Sequence, residues 1–209
     1  MSGDLTLYLM ALTFDAAVQS DAMFFGISCL YEYDKFQKGT VMAHEFHHRL
    51  RVSKTLLGNL SKYEEASFSI IDEINNEGTA DLVDKPVDLK YRDKLYQSDN
   101  MMKELLDNVD ITLKKLDSSL TLNSKSGEAF VSKKDFRSIT KSSSGHIPGF
   151  YMSNIIKRNG LEKELIDGSD NPFNIFYLYN KAARIDFEEP TSYSSPTMDY
   201  LKKLELKLN

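Results

Sequence analysis

Ala43-His44-Glu45-Phe46-His47-His48-Arg49 contains the pattern His44-Glu45-x-x-His48, and the reading of the rest of the chain turns on it. In a helix, residues four apart lie about 40° apart around the axis and about 6 Å along it, so both imidazoles can reach one ion. Zinc takes such nitrogen ligands at about 2.0–2.1 Å. Glu45 is offset by about 100° from His44, too far to share the ion but close enough to reach a water bound to it. That is where a general base belongs. A chance match on a solvated helix has a likelihood on the order of 1% for a chain of this size. Three of the four histidines crowd this one turn, and Val41, Met42 and Phe46 give it an apolar flank, which lowers that chance further. His47, beside the pair, is not needed for the metal and reads as a supporting residue.

A catalytic zinc needs a third protein ligand and an open position. Downstream, Ser61-Lys62-Tyr63-Glu64 has capping-box spacing, and Phe68, Ile71, Ile74, Gly78 and Leu82 then recur at helical steps. The spacing predicts a helix to about Asp84, ended by Pro86. Two helices joined by a short turn pack antiparallel, which can bring Glu77 back over the histidine pair. Asp81 lies one turn further on the same face, where it can accept a hydrogen bond from the non-ligating nitrogen of a ligand histidine. The competing carboxylates, Asp72 and Glu73, read as solvated surface.

Asn76-Glu77-x-x-x-Asp81 after an HExxH helix resembles the gluzincin metallopeptidases of the thermolysin-like clan. In that pattern the later Glu is the third zinc ligand and the Asp steadies the first histidine, although the gap between the two motifs is longer here. The resemblance implies a zincin-like α+β fold, a small N-terminal mixed sheet and active-site helix followed by a mostly helical lobe. It implies a zinc metallopeptidase with one Zn2+ per chain and a peptide or protein substrate. Gly145-His146-Ile147 is similar to the family segment that carries a transition-state histidine. Hydrolysis needs a donor aimed at the developing oxyanion, and His146 or Tyr151 is the candidate. Zincins also bind substrate along a sheet edge ahead of the HExxH helix. Phe14 to Val18 lies at the matching distance, with Ala16 and Ala17 small enough to admit a peptide. Helices after residue 90 do not resemble thermolysin in any detail, and the chain is more similar to one of the smaller zinc-dependent peptidase families of the same clan.

Elsewhere the sequence is read as strands near 5–14, 15–18 and 22–31, with a break at Gln19-Ser20-Asp21, and a helix from Thr40 to about Leu57 stopped by Gly58-Asn59. A helix is expected between Asp99 and Leu120, a polar loop over 121–145, and a helix from Pro148 to Asn159 closing on Gly160. Two more are opened by Asn171-Pro172 and Ser195-Pro196. Strands first and helices after suggest a single α+β catalytic domain over 1–209, with a strand lobe to residue 60 and a helical lobe over 61–209.

The net charge of −5, from 26 basic and 31 acidic residues, disfavours nucleic acid. Cys29 is the only cysteine, so neither an internal disulfide nor a thiolate zinc cage can form. Leu5 to Phe14 is apolar but too short to cross a bilayer, and with Asp4 ahead of it and no basic flank it is a poor signal peptide. A cytoplasmic protein without a membrane partner is the expectation, and secretion is the alternative if a leader precedes this segment. Two further functions stay open on sequence: a metal-dependent hydrolase of a non-peptide substrate, and an inactive helical interaction module that keeps the motif.

Overall fold

The structure, a computed structural model, describes residues 5–19, 22–51, 60–95, 101–125, 130–141 and 143–208. The chain is α+β, mostly helical with one small sheet. It forms two compact units, one of residues 1–51 and 80–101, the other of residues 52–79 and 102–209.

The first unit holds the sheet. Strands β1 (Thr6–Met10), β2 (Ala16–Gln19) and β3 (Ala22–Gly26) lie in the order β1-β3-β2. β1 runs parallel to β3 and β2 antiparallel to it, so the sheet is mixed. Alternation sets the faces: Met23 and Phe25 point inward and are fully buried, while Phe24 stacks on Tyr8 at 5.0 Å on the opposite face. Each inward side chain contributes about 1.5–3 kcal/mol by burial. Around them pack Cys29 and Val41, with Phe14, Val18, Met42 and Phe46 at the margin.

The apolar run expected to continue as strand to residue 31 instead turns helical at Ile27, as α1 (Ile27–Asp34). A short apolar run satisfies either period, and here the close approach of Gly26 to residue 13 ends the strand. A Cβ on Gly26 would lie 2.1 Å from the Thr13 carbonyl oxygen. Helix α2 (Thr40–Leu50) follows Gly39, whose φ of 77° is the left-handed turn that glycine adopts freely. Arg51 is extended, so α2 stops before the expected Leu57. The Gly58-Asn59 stop, most of the Gln19-Ser20-Asp21 break and the expected helix start at Asp99 lie outside the described residues.

Helix α3 (Lys62–Tyr91) contributes residues 62–79 to the second unit and 80–91 to the first. It begins as the sequence indicates, with the Ser61 N–H donating to Glu64 at 2.9 Å. It does not end at Pro86. Pro86 is exposed, and the helix passes through it to a short 3-10 turn, Arg92–Lys94. Proline removes one N–H and crowds the carbonyl four residues back. The buried neighbours Asp84 and Val87 anchor the helix on either side.

The second unit is helical. The segment expected as one helix to Leu120 is α4 (Met101–Asp107) and α5 (Val109–Ser124). The expected loop over 121–145 contains the end of α5 and α6 (Lys133–Ile139), the latter opened by a Ser132/Asp135 capping box. Then come α7 (His146–Arg158), α8 (Glu162–Asp167), α9 (Asn174–Ala183) and α10 (Ser195–Leu208). α7 packs on α9 and α5 on α10, around fully buried Phe150, Phe176, Tyr179, Leu116 and Leu201. Among the described residues, no helix is long and apolar enough to cross a membrane.

Candidate metal centre

In the first unit, α2 presents the histidine pair on the face expected from its spacing. His44 and Glu45 are buried, at 6% and 7% exposure. The Nε2 atoms of His44 and His48 face one another at 3.0 Å, with the rings edge-on at 80°. Two nitrogens bound to one tetrahedral zinc stand about 3.3–3.4 Å apart, so an ion fits between them with a shift of a few tenths of an ångström. The opposite edge of the His44 ring is fixed. Its Nδ1 lies 2.9 Å from Asp84 Oδ1, with Asp81 Oδ1 further off at 3.7 Å. A proton on Nδ1 shared with Asp84 leaves the Nε2 lone pair facing His48, which is the tautomer a metal ligand needs.

Asp84 and Asp81 crowd the Nδ1 edge of His44. Their oxygens and His44 Nδ1 lie within 4.8 Å of one another, but the cluster already contains a cation. Lys85 Nζ is 3.1 Å from Asp84 Oδ2 and 3.6 Å from Asp81 Oδ1. Burial opposes the charge on Asp84, yet the His44 hydrogen bond and the Lys85 ammonium outweigh it and hold the pKa at about 2. Burial likewise opposes the Lys85 charge, and Asp84 and Asp81 overcome it, raising the pKa well above the lysine range. Nearby Cys29 is chemically quiet: burial first, then Asp15 and Asp84, push its thiol up to about 11. β2 is an edge strand among the described residues and packs against α2, with Ala17 exposed and Ala16 half-buried.

In the second unit, α3 and α7 cross through glycines. A Cβ on Gly78 would lie 2.5 Å from the Gly149 backbone, and one on Gly149 would lie 2.4 Å from the Ile74 carbonyl oxygen. A Cβ on Gly145, at φ 88°, would lie 2.7 Å from the Glu73 backbone. This contact sets the first turn of α7 beside α3 and puts His146 Nε2 3.3 Å from Glu77 Oε2. Tyr151 lies about 140° around α7 from His146. Its ring packs at 6.4 Å from Tyr179 of α9, and burial raises its phenol pKa.

The structure thus groups His44 and His48 with Asp84 and, less closely, Asp81. It groups Glu77 with His146 and turns Tyr151 to another face. Asp84 and Lys85 are the residues the sequence reading passed over. The signal was the i, i+4 pair Asp81/Lys85, hidden by the assumption that Pro86 closes the helix.

A comparison with curated proteins found no match, nor did one with solved structures. The model of the family described as "Putative zinc dependent peptidase (DUF5700)" matches residues 1–187. The match covers most of the chain, and the protein belongs to the family so described.

Proposed function

We propose that the protein is an HExxH zinc peptidase of the gluzincin type, in which His44, His48 and Glu77 hold one zinc per chain. The observation that carries this reading is the pair of Nε2 atoms 3.0 Å apart, one ring tied at Nδ1 to a buried carboxylate. A histidine pair on a solvated helix has no need of that second-side anchor. Glu77 suits the third ligand position because it precedes Asp81 by one turn of an unbroken helix, about 6 Å along the same face.

Zinc held this way supplies Lewis acidity, polarising the substrate carbonyl and making water a nucleophile near neutral pH. Glu45 takes the proton of the attacking water and returns it to the leaving amine. His146 donates to the carbonyl oxygen as charge develops on it. The outer edge of β2, at Ala16 and Ala17, pairs with the peptide backbone and aligns the scissile bond.

The test joins metal analysis to turnover of a quenched-peptide panel. The purified protein should carry one zinc per chain. Glu45→Gln should retain that zinc and lose at least 10²–10⁴-fold in kcat, the usual weight of a general base. Peptide turnover by Glu45→Gln close to that of the natural protein removes Glu45 from the mechanism, and turnover of simple esters but no peptide moves the substrate class.

A further inference from the structure

We propose that Lys85 is a positioning residue for the metal centre: its ammonium clamps Asp84 and Asp81 together and so keeps Asp84 on the Nδ1 edge of His44. The inference rests on the zinc reading above and adds to it a residue outside the HExxH and Asn-Glu-x-x-x-Asp motifs.

Two carboxylates share one buried helical face. Asp81 is wholly inaccessible and Asp84 is 6% exposed. Like charges this close repel strongly where water does not screen them. Each has one oxygen near the same imidazole nitrogen, at 2.9 and 3.7 Å. One imidazole N–H cannot satisfy two anions. Lys85 is next to Asp84 in sequence and one turn from Asp81, and its Nζ stands between the two oxygens at 3.1 and 3.6 Å. It binds the outer oxygen of Asp84, Oδ2, and leaves Oδ1 to His44. The division fixes the carboxylate rotamer, and through it the ring plane that aims Nε2.

Lys85 also brings a positive charge to within 3.1 Å of Asp84 and 3.6 Å of Asp81, where it opposes the approach of a second cation. His44, Asp81 and Asp84 form a donor set of metal-binding size. With an internal ammonium in place, the set acts as an anchor for His44 and does not compete for zinc at the wrong edge of the ring. Loss of the ammonium removes its charge from beside the two buried anions and frees Oδ2 of Asp84 from the contact that fixes its rotamer.

The test is zinc affinity, measured by competition with a chromogenic chelator, alongside thermal unfolding of the metal-free protein. Lys85→Met should raise the zinc Kd by about 10-fold, the low end of losses seen when an outer partner of a ligand is removed. In an Asp84→Asn background the same substitution should change Kd by less than about 2-fold, because the residue through which Lys85 acts is already altered. A change of equal size in both backgrounds overturns the proposal. So does a lowered melting temperature with unchanged Kd, which would make Lys85 purely structural. Should Lys85→Met fail to fold, Lys85→Gln carries the same comparison. A natural protein that binds no zinc contradicts the metal reading itself, whereas normal zinc binding with an indifferent Lys85 contradicts this inference alone.

Discussion

The two units position their site residues by different physics. In the first, His44 is held by charge, through Asp84 and the Lys85 ammonium, on a helix whose backbone carries no special demand beyond Gly39 at its start. In the second, His146 is held by backbone proximity, because Gly78 and Gly149 let α3 and α7 touch with no side chain between them. Charge anchoring can be weakened in steps, since a carboxylate can become an amide without changing shape. Backbone contact fails steeply, since one methyl group has nowhere to go. Substitutions around His44 should therefore act by degrees, and those at the glycine contact beside His146 abruptly.

The largest effect expected along this divide is on turnover. His146→Ala should lower kcat and kcat/KM together by roughly 10²–10³-fold with zinc content intact, the pattern of a donor used in the transition state. Tyr151→Phe should stay within about 2-fold, because that ring packs on Tyr179. The reverse outcome would reassign the donor. Next in size is Gly149→Ala. The new methyl would meet the Ile74 carbonyl and Gly78 Cα at 2.4 and 2.8 Å. Overpacking of this kind costs about 1–3 kcal/mol, or roughly 2–12 °C in Tm for a chain of this size. Calorimetry showing an unchanged Tm would mean the close approach does not exist. Next comes Asp84→Asn, which should weaken zinc binding by roughly 10–100-fold and leave the fold intact. Asp81→Asn, further from the ring, should cost less, and the opposite order would return to Asp81 the anchoring role the motif suggested.

What could be read from sequence follows from how local each signal is. The HExxH turn, the Ser61 capping box and the proline-opened α10 depend on neighbours within a few residues, and the structure has them where expected. The Ser132/Asp135 box has the same kind of signal, obscured by the polar residues around it. Pro86 misled because its cost depends on whether tertiary contacts hold the helix on both sides, which no local window contains. The run from Ile27 misled because a short apolar stretch fits strand and helix equally. The α3–α7 crossing left only Gly78 and Gly149, and nothing in sequence says which glycines meet. His146 could be singled out, but its contact with Glu77 could not.

The central claim, that His44 and His48 together grip one zinc, is tested most directly by elemental analysis of three purified proteins: the natural chain, His44→Ala and His48→Ala. The first should carry one zinc per chain and both variants should lose bound zinc, with each still folded by circular dichroism. A natural protein without zinc, or variants that keep a full equivalent, would contradict it.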